Sequence, residues 1–203
     1  MTTLIEHKRV EFSELFYDLV FVFAISKATT LIHHLHNGVL TWDSFLNFFM
    51  AVLVLIDSWM IQTLYTNRHG KNSLFNMVIM FINMGLLLFI SSMIGPDWQQ
   101  YFHYLCWAIG TLTFTLFLQY LVEFFRKSTD NVDRESIKGF LWVTGLGSLG
   151  VYLAPLLPGY VGVYTLYASI LLTFILPGIL LSKASHYQVN LPHLIERISL
   201  LVI

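Results

Sequence analysis

Three carboxylates stand inside long apolar stretches of this sequence: Glu14, Asp18 and Asp57. An ionised side chain surrounded by hydrocarbon is costly, and it ordinarily faces a partner, a bundle interior or water. Glu14 and Asp18 are four residues apart and so share one face of a helix, with Glu11 near the same stripe. Two carboxylates side by side at low dielectric do not both ionise cheaply. One is expected to hold a proton, or to share a cation or an arginine. The plainer alternative sets both near the headgroups, paired with Lys8, Arg9 or a neighbouring loop. Asp57 stands 11 residues before Arg68, which is roughly 16 Å along a helix axis. Asp18 stands nine residues after Arg9, or roughly 13 Å. The two acids therefore lie at comparable depth on consecutive antiparallel helices. A shared protonatable or cation-binding site is one reading, and separate hydrogen-bond partners such as Ser58 and Trp59 are the other.

Other polar residues could join them. Lys27 is nine residues beyond Asp18, about the opposite face of the same helix. At that depth it needs a counter-ion from another helix or an aqueous cavity, unless it snorkels. His193, Glu196 and Arg197 open the last apolar run, and Arg197 is expected to pair with a carboxylate of the first helix. Asn76 and Asn83, seven apart on one face, suit hydrogen bonding between helices. His33 and His36, with His34 and Asp43, have the spacing of a metal pair. A polar helix end in water explains them equally, and no metal site is expected. Gly145 to Gly150 matches the letters of a dinucleotide-binding loop, but it lies within an apolar span with no preceding strand. There small residues serve close helix packing. With no nucleophile set, metal set or phosphate loop, neither an enzyme nor a cofactor is expected.

The elements that must carry these residues follow from composition. Of 203 residues, 56% are hydrophobic and 11% charged, with mean hydropathy +0.68. Soluble domains carry about a quarter charged residues, so lipid must be the solvent for most of this exterior. A net charge of −1 and short basic clusters exclude a nucleic-acid partner. The single cysteine, Cys106, excludes an intramolecular disulfide framework.

Six runs are long enough to cross about 30 Å of hydrocarbon: Phe12–Leu35, Trp42–Tyr65, Leu74–Ile94, Phe102–Phe125, Gly139–Leu157 and Tyr160–Leu181. In lipid each must be a helix, since an open strand leaves its amides unpaired. The fold expected is an all-α polytopic transmembrane bundle forming a single membrane domain over 1–203. The stretch Arg126 to Ser136 reads as a charged surface loop, and the first span as retained rather than cleaved. Lys and Arg fall in the N-terminal tail, after span 2, after span 4 and after span 6, while the three intervening loops hold none. By the positive-inside rule this places the N-terminus in the cytoplasm. Leu191–Ile203 begins a seventh run too short to cross, and truncation of a longer protein is the expectation.

The stretch Arg9-Val10-Glu11-Phe12-Ser13-Glu14-Leu15-Phe16-Tyr17-Asp18-Leu19-Val20-Phe21-Val22 resembles the opening of the bacterial low temperature requirement protein A (LtrA) family, whose signature reads E-L-F-[FY]-D-L-V-F-V. Tyr65-Thr66-Asn67-Arg68 resembles that family's Y-T-N-R segment. His193-Leu194-Ile195-Glu196-Arg197 with Leu200 and Ile203 resembles its H-x-x-E-R-x-x-L-x-x-I block. In the family this block runs on into a Gly-Glu pair and further helices, so the resemblance implies an N-terminal portion of a longer multi-spanning protein of the bacterial cytoplasmic membrane. Glu14, Asp18, His193, Glu196 and Arg197 match signature positions, to which the resemblance assigns no role. The function expected from the buried acids is movement of an ion or small solute. The alternative is a non-transporting membrane factor that supports growth in the cold through lipid or protein contacts. The partners expected are the bilayer and either a second copy or a C-terminal half.

Overall fold

The computed structural model describes residues 10–33, 40–69, 73–95, 97–126, 131–183 and 191–202. For 131–133, 180–183, 191–193 and 200–202 it describes the helix and not the side chains. Among the described residues eight α-helices follow one another: α1 Phe12–Ala28, α2 Thr30–His33, α3 Trp42–His69, α4 Leu74–Met93, α5 Phe102–Phe124, α6 Asn131–Leu153, α7 Tyr160–Lys183 and α8 Leu191–Val202. No strand occurs among the described residues. Six stretches, with α1 and α2 counted together, are long and apolar enough to cross a membrane.

Local chemistry sets the boundaries. The break between α1 and α2 falls where the Thr29 and Thr30 hydroxyls donate back to the carbonyls of Ser26 and Lys27, both at 2.7 Å. The hydroxyl of Ser73 caps α4 by accepting from the Asn76 amide at 3.3 Å. A short 3₁₀ turn over Ala154–Leu156, with Pro155 inside it, ends α6. Gly159, at φ 52°, then supplies the left-handed residue that reverses the chain into α7.

Two boundaries differ from the sequence expectation. Asn131 to Ser136 are not loop but the opening turns of α6. A helix continues past the hydrocarbon where its polar residues are wetted, and hydropathy cannot register that. Likewise Thr66 to His69 extend α3 beyond the expected exit.

Helix α3 stands at the centre, packed by α1, α5, α7 and α8. Helix α1 also lies along α4, and α5, α6 and α7 follow as neighbours. The glycines within span 5 explain one close crossing. A Cβ on Gly147 would stand 2.2 Å from Thr173 Cγ2, and one on Gly150 2.2 Å from Ser169 Oγ. The Thr173 and Ser169 side chains of α7 fill the space a Cβ would take, so these glycines are a packing device and not a phosphate loop. Exposed Phe16, Leu19, Phe23, Phe81 and Phe89 on α1 and α4 form part of the lipid-facing surface. A large apolar core fills one half of the bundle, and Ile61, Tyr65, Leu116, Tyr120, Ile137 and Phe140 fill the half nearer the Arg- and Lys-bearing ends.

Candidate functional site

Helix α8 is described over 12 residues, Leu191–Val202. It lies against α1 and α3 and turns Arg197 inward until the side chain is wholly buried. The guanidinium grips Asp18 with two bonds, Nε to Oδ2 at 2.9 Å and Nη2 to Oδ1 at 2.5 Å. Its Nη1 donates to the Thr66 hydroxyl at 3.0 Å and lies 3.8 Å from Glu14 Oε2. The indole N–H of Trp59 donates to Asp18 Oδ1 at 2.7 Å, and the guanidinium stands 5.8 Å from the Trp59 ring centre. Behind them Tyr17 and Ser58 share a hydroxyl contact of 3.3 Å. Bidentate pairing is the strong form of an arginine–carboxylate contact. Of the three ways open to the first-helix acids, the structure shows the shared arginine.

The family model for bacterial low temperature requirement A protein (LtrA) matches residues 9–203, a stretch that holds both ends of this clasp. The chain belongs to the LtrA family. No curated protein and no solved structure matches it.

In this LtrA chain Asp57 does not join Glu14 and Asp18. A single acidic site is thus corrected to two. Ser58 and Trp59 face Tyr17 and Asp18, whereas Asp57, turned about the helix from both, faces α5 and α7. Equal depth brought the two acids level, and helix phase kept them apart. Asp57 is 7% exposed, and its Oδ1 meets no protein hydrogen-bond partner. It lines a cavity of about 10 Å³ with Thr113, Leu116, Val151 and Thr173 among the other walls. That volume is about what one water needs. A second cavity of about 50 Å³ shares Val54, Ile109 and Ile170 with the first. It extends toward the side opposite the basic loops, past Asn47, Trp98 and Tyr167. At its rim the Tyr167 hydroxyl donates to Asn47 Oδ1 at 2.7 Å.

Lys27 is corrected too. It is exposed in the last turn of α1, with its ammonium 5.6 Å from the Phe23 ring centre. Its side chain faces outward from the bundle rather than toward an acid on another helix. Glu196 faces outward while Arg197 faces in. The side chain of His193 lies outside the described residues, as do His34 and His36. Among the described residues no group of three metal-ligating acids, histidines or cysteines gathers.

Asn83 and Asn76 bond between helices as their spacing suggested, within a polar layer of α3, α4 and α5 whose other members, Gln62, Thr115 and Gln119, sequence reasoning passed over. Asn83 Nδ2 donates to Gln62 Oε1 at 3.1 Å, and the Thr115 hydroxyl donates to Asn83 Oδ1 at 2.5 Å. Gln119, one helical turn beyond Thr115, is wholly buried. Nearer the basic side, Tyr65 donates to Asn76 Oδ1 at 3.2 Å and packs edge-on against Tyr120. Glu123 is paired with Arg126 at 2.6 Å. The signal for this layer was present in the sequence: glutamines and an acid within apolar runs are as anomalous as Asp57.

Proposed function

We propose that this LtrA-family protein moves a proton or small cation across the bacterial cytoplasmic membrane, with Asp57 as the group that takes it up. The observation that supports this reading is a buried carboxylate whose Oδ1 meets no partner among the described residues, lining a small cavity beside a second one that extends toward the side opposite the basic loops. A buried acid kept without a full set of partners is costly, and intramembrane acids of this kind typically mark ion or proton pathways. Asp18 and Glu14 are poor carriers by the same logic. Their charge is already met by Arg197, and they hold α8 in place. No chemistry on a bound substrate is part of this reading.

Reconstitution of the purified protein into liposomes tests it. A gradient-driven flux is expected in the wild type and is lost in Asp57→Asn. Flux that Asp57→Asn leaves intact removes the carboxylate from the pathway.

A second reading is a non-transporting factor that acts through lipid contact. An open groove of about 540 Å³ at the basic ends of α1 and α4, lined by Phe12, Phe16, Met77 and Phe81 with Glu11 and Ser13, favours it. It predicts no flux and a lipid that co-purifies and is lost on Phe16→Ala.

A further inference from the structure

Below the Asp57 cavity, on the way to the basic side, two glutamines stand in an environment that does not satisfy them. Among the described residues neither amide atom of Gln119 meets a partner, nor does Gln62 Nε2, and both side chains are 0% exposed. They are close in depth. The contact between the Tyr65 and Tyr120 rings, centres 5.2 Å apart, sets α3 and α5 level there. Gln62 therefore stands between Thr115 and Gln119. Ile61 and Leu116 line the Asp57 cavity on its basic side and adjoin Gln62 and Thr115 in sequence. One turn beyond Gln119 on the same face is Glu123, buried and paired with Arg126.

Buried amides are almost always hydrogen-bonded, and where protein groups do not serve, water does. We propose that Gln62 and Gln119 hold a short file of water molecules that carries protons between Asp57 and Glu123, so that the transported species is the proton. This inference rests on the reading of Asp57 given above. Donor chemistry selects the proton over a metal cation. Gln62 Oε1 and Asn83 Oδ1 already accept hydrogen bonds, and the groups left over are two amide NH₂ donors with the Gln119 oxygen and the Thr63 hydroxyl, too few oxygens to surround a hard cation. Hard cations require oxygen lone pairs, which NH₂ groups do not offer. Water accepts from such donors and donates to the Gln119 oxygen at once. In each passage an O–H bond forms on the Asp57 carboxylate as a proton arrives from the outer cavity. That bond breaks as the proton passes to the first water. Each water gains one proton and gives up another, and the last is released beside Glu123. Nothing is oxidised or reduced.

The test measures water and flux separately on the whole protein in liposomes. Hydroxyl radicals generated by an X-ray pulse label side chains that touch bound water, and Tyr120, wholly buried beside Gln119, is the reporter. Wild-type Tyr120 is expected to be labelled, and a trapped pH-sensitive dye is expected to report proton flux without added sodium. Gln119→Leu should lower both at least ten-fold, and Gln119→Asn should retain more than half of each. Flux with Tyr120 unlabelled overturns the water file and leaves the role of Asp57 standing. Labelling without flux in the wild type removes the Asp57 reading and this inference with it. A flux that requires sodium and does not move the dye overturns the proton assignment. Should Gln119→Leu fail to assemble, labelling of the wild type and the Gln119→Asn flux decide between these outcomes.

Discussion

Two regions of this bundle bury carboxylates at nearly the same depth and treat them in opposite ways. On one side of α3, Asp18 receives three hydrogen bonds from Arg197 and Trp59, and the arginine is in turn held by Thr66. On another side, Asp57 faces a small cavity with an oxygen that no protein group meets. A polar group in hydrocarbon must be matched somewhere, and the two solutions differ in what they leave free. The first closes on itself and fastens α8 to α1 and α3. The second leaves capacity for something that arrives and departs. Burial of an acid therefore does not by itself mark function. The completeness of its partners does the sorting.

The comparison is broken most severely at its closed side. Arg197→Ala removes the guanidinium that grips Asp18 and leaves the carboxylate beside Glu14 without it. Breaking a buried pair from one side costs about 3–5 kcal/mol, so the melting temperature in detergent should fall steeply. Arg197→Lys should recover only part of the loss, because an ammonium does not reproduce the two-pronged grip. In a cycle with Asp18→Asn the double variant should be far less damaged than the sum of the singles, by about 0.5–3 kcal/mol. Simple additivity would show that the two side chains do not act together.

A smaller effect sharpens the link between packing and the open side. Gly147 sits where α6 meets Thr173 of α7, and Thr173 is a wall of the Asp57 cavity. Gly147→Ala must push that side chain aside, and overpacking of this sort costs about 1–3 kcal/mol. Because the displaced group borders Asp57, flux should fall together with stability. A variant that is destabilised yet transports at the wild-type rate would separate the α6–α7 crossing from the cavity.

How much of this was legible beforehand follows the same division. The six spans follow from run length, because hydropathy reports the solvent each segment needs. The Arg197 contact with α1 followed from charge and sidedness, since Arg197 opens an apolar run on the same side as the two acids. Helix phase was the missing quantity for Asp57. Depth can be counted from a basic loop, but a residue's rotation toward one neighbour or another depends on which helices touch. The outward face of Lys27 turned on the same quantity, since which side of α1 is covered depends on the helices packed against it. Gln62 and Gln119 carry no charge, and attention fixed on charges passed over them.

The smallest expected change in stability is the one that separates the two regions best. Asp57→Asn keeps the shape of the side chain and removes a charge that no cation is seen to offset. At Asp18 the same substitution deprives Arg197 of its counter-ion, and the protein should lose stability. At Asp57 no guanidinium is left behind, and the amide still faces the Thr173 hydroxyl. The melting temperature should therefore stay the same or rise, with stability altered by no more than about 1 kcal/mol. Groups retained for function often stabilise when replaced, because activity required an unfavourable arrangement. Thermal unfolding of Asp57→Asn beside Asp18→Asn, in one detergent, reads the contrast directly. Equal losses at both positions would make Asp57 a structural acid whose partners matter as much as those of Asp18, and the distinction between a closed and an open region would fall.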